Sequence, residues 1–248
     1  MMKHNENIQI ICSSLATMGL VDVGESLQEQ LSHKTKDDMV AIIALVLKEM
    51  AVQKSEALAE RLIKRSRMGS PSYMADLWRY EQRELDLELI EELNNLHFIR
   101  EKRNLVIWGA PGTGKTWLAN SIATSACKAG IRTRWVKFPV LYRELVRLKN
   151  KDSQTLESKI EYYAKFPLLC IDEFPNTDIE DNYLLQEFFD RRAIANTSTL
   201  VCSQSNPEYW QHLFPIKSFG ESIKGRLLQN ASRLEMKGPD LRLGNTEE

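Results

Sequence analysis

Eight consecutive residues constrain this chain more than any others: Gly109-Ala110-Pro111-Gly112-Thr113-Gly114-Lys115-Thr116. They match G-x-x-x-x-G-K-[ST] in full. They lie between an apolar run, Leu105-Val106-Ile107-Trp108, and a helical run from Trp117 to Lys128. Strand, glycine loop and helix in that order form the context in which such a loop wraps phosphate. The glycines allow close backbone approach with N–H groups turned inward, and the helix N-terminus adds the positive end of its dipole. The expected nucleotide-binding segment is therefore Gly109, Pro111, Gly112, Thr113, Gly114, Lys115, Thr116 and Trp117. Lys115 would reach the β- and γ-phosphates, and the Thr116 hydroxyl would ligate Mg²⁺.

A phosphate loop of this kind needs a carboxylate at the end of a buried strand. Leu168-Leu169-Cys170-Ile171-Asp172-Glu173 supplies one. Four apolar residues predict a central strand, Asp172 joins the magnesium shell, and Glu173 polarises an attacking water. The adjacent pair favours a hydrolase over a small-molecule kinase, which has no use for a water-activating glutamate. Thr199-Leu200-Val201-Cys202 predicts a further strand, running into Ser203-Gln204-Ser205-Asn206. Gln204 is the leading candidate to sense the γ-phosphate, with Ser203 second. No N-K-x-D guanine signature is present, so ATP is preferred over GTP.

From Asn104 onward, short apolar runs alternate with longer amphipathic ones. Strands are expected at Leu105–Trp108, Thr133–Phe138, Leu168–Ile171 and Thr199–Cys202. Helices are expected at Trp117–Lys128, Leu141–Lys149 and Tyr183–Ala195. This alternation predicts an α/β core, a parallel sheet with helices on both faces. Residues 1 to about 68 differ: they contain no Pro, and apolar residues recur at helical spacing (Leu15, Met18; Leu27, Leu31; Met39, Ile42, Ile43, Val46, Leu47, Met50). About three helices are expected there, with a start at Lys36-Asp37-Asp38 and a basic end at Arg61, Lys64, Arg65 and Arg67. Gly69-Ser70-Pro71-Ser72 breaks the pattern. The expected organisation is a helical N-terminal domain (1–68) for DNA, partner or self-association, a linker and lead-in (69–103), and an ATPase core (104–248).

The run Ile8 to Leu20 is too short and too polar for a signal sequence or a span. Cys12, Cys127, Cys170 and Cys202 are scattered without a C-x-x-C pair, which fits free thiols in a reducing cytoplasm. The four histidines are equally dispersed, so no protein-built zinc site is expected.

Taken together, the loop, the Asp172-Glu173 strand and the polar strand end resemble an AAA+ ATPase. The lead-in Leu93-Asn94-Asn95-Leu96-His97-Phe98-Ile99, the Ser203-Gln204 strand end and the segment Gly225-Arg226-Leu227-Leu228-Gln229-Asn230-Ala231-Ser232-Arg233-Leu234 narrow the likeness. With the helical front, where Met18-Gly19-Leu20 precedes Leu27, they resemble IstB-type transposition helper ATPases over roughly residues 12 to 238. The DnaC helicase loader is a near relative that shares the ATPase core. The sequence departs from the usual Asp-Arg-Leu of the family in having Gly225-Arg226-Leu227, with the arginine retained. The resemblance implies an ATP-dependent homo-oligomer, helical or ring-like, assembling on duplex DNA to assist a cognate transposase. It also implies ATP and Mg²⁺ at subunit interfaces, and Arg226 touching a neighbour's γ-phosphate. Only 22 residues follow Arg226, too few for the helical lid of many AAA+ proteins. The alternative is a DnaC-like replicative helicase loader.

Charge supplies an independent clue. Lys+Arg total 33 against 34 Asp+Glu, a net charge of −1, which on its own argues against nucleic acid. From Lys128 to Lys151, however, eight basic residues face one acid, Glu144, a local excess of +7. Arg132, Arg134, Lys137, Arg143 and Arg147 of this stretch, and Arg61, Lys64 and Arg65 of the N-terminal helix end, are the candidate DNA contacts. They are expected to touch the backbone with little sequence preference.

Overall fold

A computed structural model describes residues 9, 11–13, 15, 20–31, 36–76, 85, 87–176 and 178–240. Met18 and Gly19 of the sequence reading lie outside the described residues. Two compact units emerge, 1–58 and 59–248.

In the first unit, α1 (Val21–Leu31) and most of α2 (Lys36–Ser66) supply a small apolar cluster. Leu15, Leu20, Val23, Leu27, Ile42 and Val46 are buried in it, as helical spacing places them on one stripe. The stretch from 36 to 66 forms one continuous 31-residue helix, with no break among its described residues. Its last two turns belong to the second unit, where Leu62 and Met68 join the larger core. The helix stops at Ser66, whose hydroxyl accepts from Met68 N at 3.3 Å. Arg67 (φ +63°) and Gly69 (φ +82°) then turn the chain through left-handed backbone.

The second unit is a five-stranded, wholly parallel sheet. Its elements after α3 (Leu87–Asn94) and α4 (His97–Arg100) are β1 (Leu105–Trp108), α5 (Lys115–Lys128), β2 (Thr133–Lys137), α6 (Phe138–Lys149), α7 (Ser153–Ala164), β3 (Leu168–Phe174), α8 (Asn182–Ile194), β4 (Ser198–Ser203), a 3₁₀ segment (Pro207–Leu213), α9 (Lys217–Leu228) and β5 (Ser232–Glu235). The strand order is β2-β3-β4-β1-β5, and every pairing is parallel. This is the expected α/β core with helices on both faces. The strands show why. Leu105 and Ile107, Leu168 and Cys170, and Leu200 and Cys202 pack toward α5. Val106, Leu169, Ile171 and Val201 pack toward α6, α7, α8 and α9. Strand side chains alternate faces, so a sheet buried on both sides reads as uninterrupted hydrophobicity.

Helices α7 and α9 and strand β5 have no counterpart in the sequence reading. Helix α7 carries few apolar residues, and only Leu156, Ile160, Tyr163 and Ala164 are buried; its start is capped by Asp152, which accepts from Gln154 N and Thr155 N. Helix α9 contains two glycines and mixed charge. Edge strand β5 is only half buried, with Ser232 and Leu234 inward. Helices α5, α6 and α8 begin one to three residues earlier than expected, and β3 extends three residues further, through Phe174.

Candidate nucleotide site

The glycine loop leaves the C-terminal end of β1 and feeds directly into α5, whose N-cap is Gly114 at φ +88°. Gly112 (φ +77°) has the Asp240 carboxylate where a Cβ would stand, and Gly109 (φ +147°) has the Met236 carbonyl there. No L side chain fits at either position, so the loop's closeness to its surroundings depends on glycine. Lys115 is 8% exposed, and its ammonium lies back along the loop, donating to Gly109 O (2.8 Å) and Ala110 O (2.6 Å). Thr113 is buried, Pro111 and Thr116 are exposed, and Trp117 is half-buried against the core.

Residues 56 apart in sequence meet at the mouth of this loop. The Thr116 hydroxyl donates to both Asp172 oxygens, at 3.2 and 3.1 Å. Asp172 is 5% exposed, and burial pushes its carboxyl above the usual Asp range. A hydroxyl and one carboxylate with phosphate nearby fit the needs of Mg²⁺, a hard cation that takes few protein ligands. Among the described residues no cluster of three acidic, His or Cys side chains forms a separate metal site.

Backbone irregularity brings Glu173 to the same place. The β3–β4 register jumps between Ile171↔Val201 and Phe174↔Ser203, so Asp172 and Glu173 together oppose Cys202. This is a β-bulge, which re-aims side chains at a strand end. Glu173 has φ +60°, a strained conformation for a residue with a side chain. Its N–H donates to Asp172 Oδ1 at 2.9 Å, and its carboxylate pairs with Lys137 Nζ at 2.7 Å.

The strand-end candidates separate. The Ser203 hydroxyl donates to Ser205 O (2.9 Å) and accepts from Ser205 N (3.1 Å) and Trp210 Nε1 (3.2 Å), so it is committed to folding the turn. Gln204 is exposed at the end of β4. Arg226 lies elsewhere. It pairs with Asp190 and donates to Ser222. Its carbonyl accepts from Asn104 Nδ2 at 3.0 Å, just ahead of β1. The phosphate loop follows the opposite end of that strand, so Arg226 does not reach the loop.

The basic stretch also divides. Arg132, before β2, donates to Lys165 O at 3.2 Å. Arg134, Lys137, Arg143 and Arg147 converge instead on a groove of 720 Å³ beyond β2. Arg134 is buried, contrary to the expectation of a solvated contact face, and its Nη1 donates to the Arg65 carbonyl at the end of α2. Arg61, Lys64 and Arg65 are exposed on α2. One groove residue was missed by the sequence reading as a site candidate, Lys159 on the unrecognised α7; Arg67, of the basic helix end, joins the same groove.

A wholly parallel sheet in this order, with a glycine loop after β1 and an Asp-Glu pair ending β3, defines a P-loop ATPase of the AAA+ class. The chain belongs to the IstB-like ATP binding protein family, whose model matches residues 13–248. It is 26% identical over 232 residues to the insertion sequence ATP-binding protein y4uH of Sinorhizobium fredii, covering 92% of each chain. Among solved structures it is similar to DnaI (TM-score 0.57, 24% identity, 68% of this chain and 89% of that one). It is also similar to the DnaC helicase loader (TM-score 0.52, 19% identity, 71% and 98%). These two likenesses concern the fold. No helix of the described residues is long and apolar enough to cross a membrane.

Proposed function

We propose that the chain is an ATP-dependent DNA-binding ATPase that oligomerises on duplex DNA and assists the transposase of its insertion sequence, with hydrolysis controlling assembly and release. The observation that carries this reading is Lys137: one side chain lines the cationic groove and is ion-paired with Glu173 beside the phosphate loop. Site and groove thus share one strand end, β2 beside β3.

The roles follow from placement. Gly109, Pro111, Gly112, Thr113, Gly114 and Trp117 shape the loop and its helix, and the backbone N–H groups hold phosphate. Lys115 exchanges two loop carbonyls for β- and γ-phosphate oxygens. Thr116 and Asp172 would hold Mg²⁺, which when bound neutralises phosphate charge. Glu173 orients the water, and Gln204 reports on the γ-phosphate. Arg226 acts on a neighbouring subunit's nucleotide, since its own loop is out of reach. Residues 1–68 serve DNA, partner or self-association.

The test is a mobility shift of random-sequence duplex by the purified chain. Wild type shifts duplex with ATP and Mg²⁺, and binds poorly without them. Lys115→Ala abolishes the ATP-dependent part, and an undiminished shift by that variant would refute ATP-coupled assembly. The likeness to the DnaC fold supports a second reading, a helicase loader. Capture of a replicative helicase by the full chain, and no transposase-dependent effect, would favour it.

A further inference from the structure

Among the described residues of the second unit two arginines are buried, and they are treated differently. Arg192 is 2% exposed, and each of its nitrogens ends on an oxygen. Nε donates to Thr199 Oγ1 (2.9 Å), Nη1 to Tyr163 O (2.7 Å) and Nη2 to Ser198 O (2.6 Å). Burial pulls its pKa down to about 9, yet none of its nitrogens is left without a partner. It is a strut joining α7, α8 and β4.

Arg134 is 7% exposed, with a single hydrogen bond, Nη1 to the Arg65 carbonyl at 3.2 Å. Its Nε is buried and has no partner. Among the described residues no carboxylate lies within ion-pairing distance; the Tyr162 ring, 5.8 Å away, offers only its π face. The buried Nε–H is a donor left without an acceptor, an arrangement that costs stability until one arrives.

The surroundings are made for an anion. Arg134 lines the 720 Å³ groove together with Arg67, Arg143 and Arg147. Arg143 and Arg147 stand one turn apart on α6, and Arg143 Nε donates only to the Pro139 carbonyl at 3.1 Å. The other two cations are already paired, Lys137 with Glu173 and Lys159 with Glu144, each at 2.7 Å. Glu144, the one acid lining the groove, is therefore neutralised. No Asn or Gln lines the groove, and its guanidiniums suit phosphate.

We propose that this groove is a phosphate site in which buried Arg134 anchors one backbone phosphate of duplex DNA, flanked by Arg67, Arg143 and Arg147. This deepens the DNA-binding reading and rests on it. It assigns a specific docking point, where the sequence offers only a diffuse basic stretch. Arg67, at the α2 end, closes the groove from the helical side.

The experiment compares wild type with Arg134→Met and Arg67→Ala, using the full chain with ATP and Mg²⁺. Duplex affinity is measured over a salt series, and thermal melting with and without inorganic phosphate. Arg134→Met is expected to weaken duplex binding about tenfold and to reduce the salt slope by about one, the signature of one lost phosphate contact. Inorganic phosphate is expected to raise the melting temperature of wild type and not of Arg134→Met. Arg67→Ala changes an exposed residue, so it reports on the groove even if Arg134→Met does not fold; its duplex affinity is expected to fall severalfold. If wild type binds duplex and the folded variants match it in affinity and slope, the anchor is wrong and the DNA-binding reading survives. If wild type binds no duplex but Arg134-dependent phosphate stabilisation remains, the ligand is free phosphate and both DNA assignments fall. Absence of both effects removes the site altogether.

Discussion

Asp172 and Glu173 are neighbours that a regular strand would send to opposite faces of the sheet. With the bulge against Cys202 and the φ of +60° at Glu173, Asp172 meets Thr116 of the loop while Glu173 lies beside it, its N–H on the Asp172 carboxylate. Their residue types were legible in the sequence; the means of their convergence was not, because it depends on the pairing of β3 with β4. Asp240 is a second case. Its carboxylate lies against Gly112, where a nucleotide phosphate would bring like charge. Asp240→Asn is expected to tighten ATP binding about fivefold, the equivalent of ~1 kcal/mol for a close charge pair in a water-exposed site. Titration of a fluorescent ATP analogue checks it, and equal affinity would place Asp240 outside the phosphate path.

At the scale of elements, β3 carries the candidate acidic pair and α6 to α9 pack against it. Phe174 ends β3 directly after Glu173. Its ring meets Phe138 edge-on at 4.8 Å, Trp210 at 4.9 Å and Phe189 at 6.0 Å, and it is 2% exposed. Phe174→Ala is expected to cost about 3–5 kcal/mol, read as a lower midpoint in urea denaturation. Long apolar runs made β1, β3, β4 and α5 visible in the sequence. Helix α7 and strand β5 escaped because their burial is partial: an amphipathic helix with four buried residues and a half-buried edge strand barely differ in composition from loops.

At the scale of the whole molecule, Asn104 ties the end of α9 to the N-terminal end of the sheet. It donates to Arg226 O and Leu227 O and accepts from Thr199 N at 2.9 Å. Arg226 is held at one end of the strands and the phosphate loop at the other, so an active site containing both must draw on two subunits. Arg226→Ala is therefore expected to lose about 10³-fold or more in ATP turnover. Mixing it with the equally inactive Lys115→Ala should restore activity, because mixed interfaces pair an intact loop with an intact arginine. Undiminished turnover by Arg226→Ala, or no recovery on mixing, would rule out action in trans.

The sequence by itself determined the nucleotide loop, its acidic partner strand, the parallel α/β class and the helical front. These rest on local patterns: glycine spacing, unbroken apolar strands and helical periodicity. Tertiary structure alone decided how the linear basic stretch divides: Arg132 lies apart on the Lys165 carbonyl, while Arg134, buried at the α2 end, lines one groove with Lys137, Arg143 and Arg147. Net charge near zero, which at first argued against nucleic acid, describes only the sum. What matters for binding is which charges the fold leaves unneutralised beside one another, and that is set by strand pairing and helix packing.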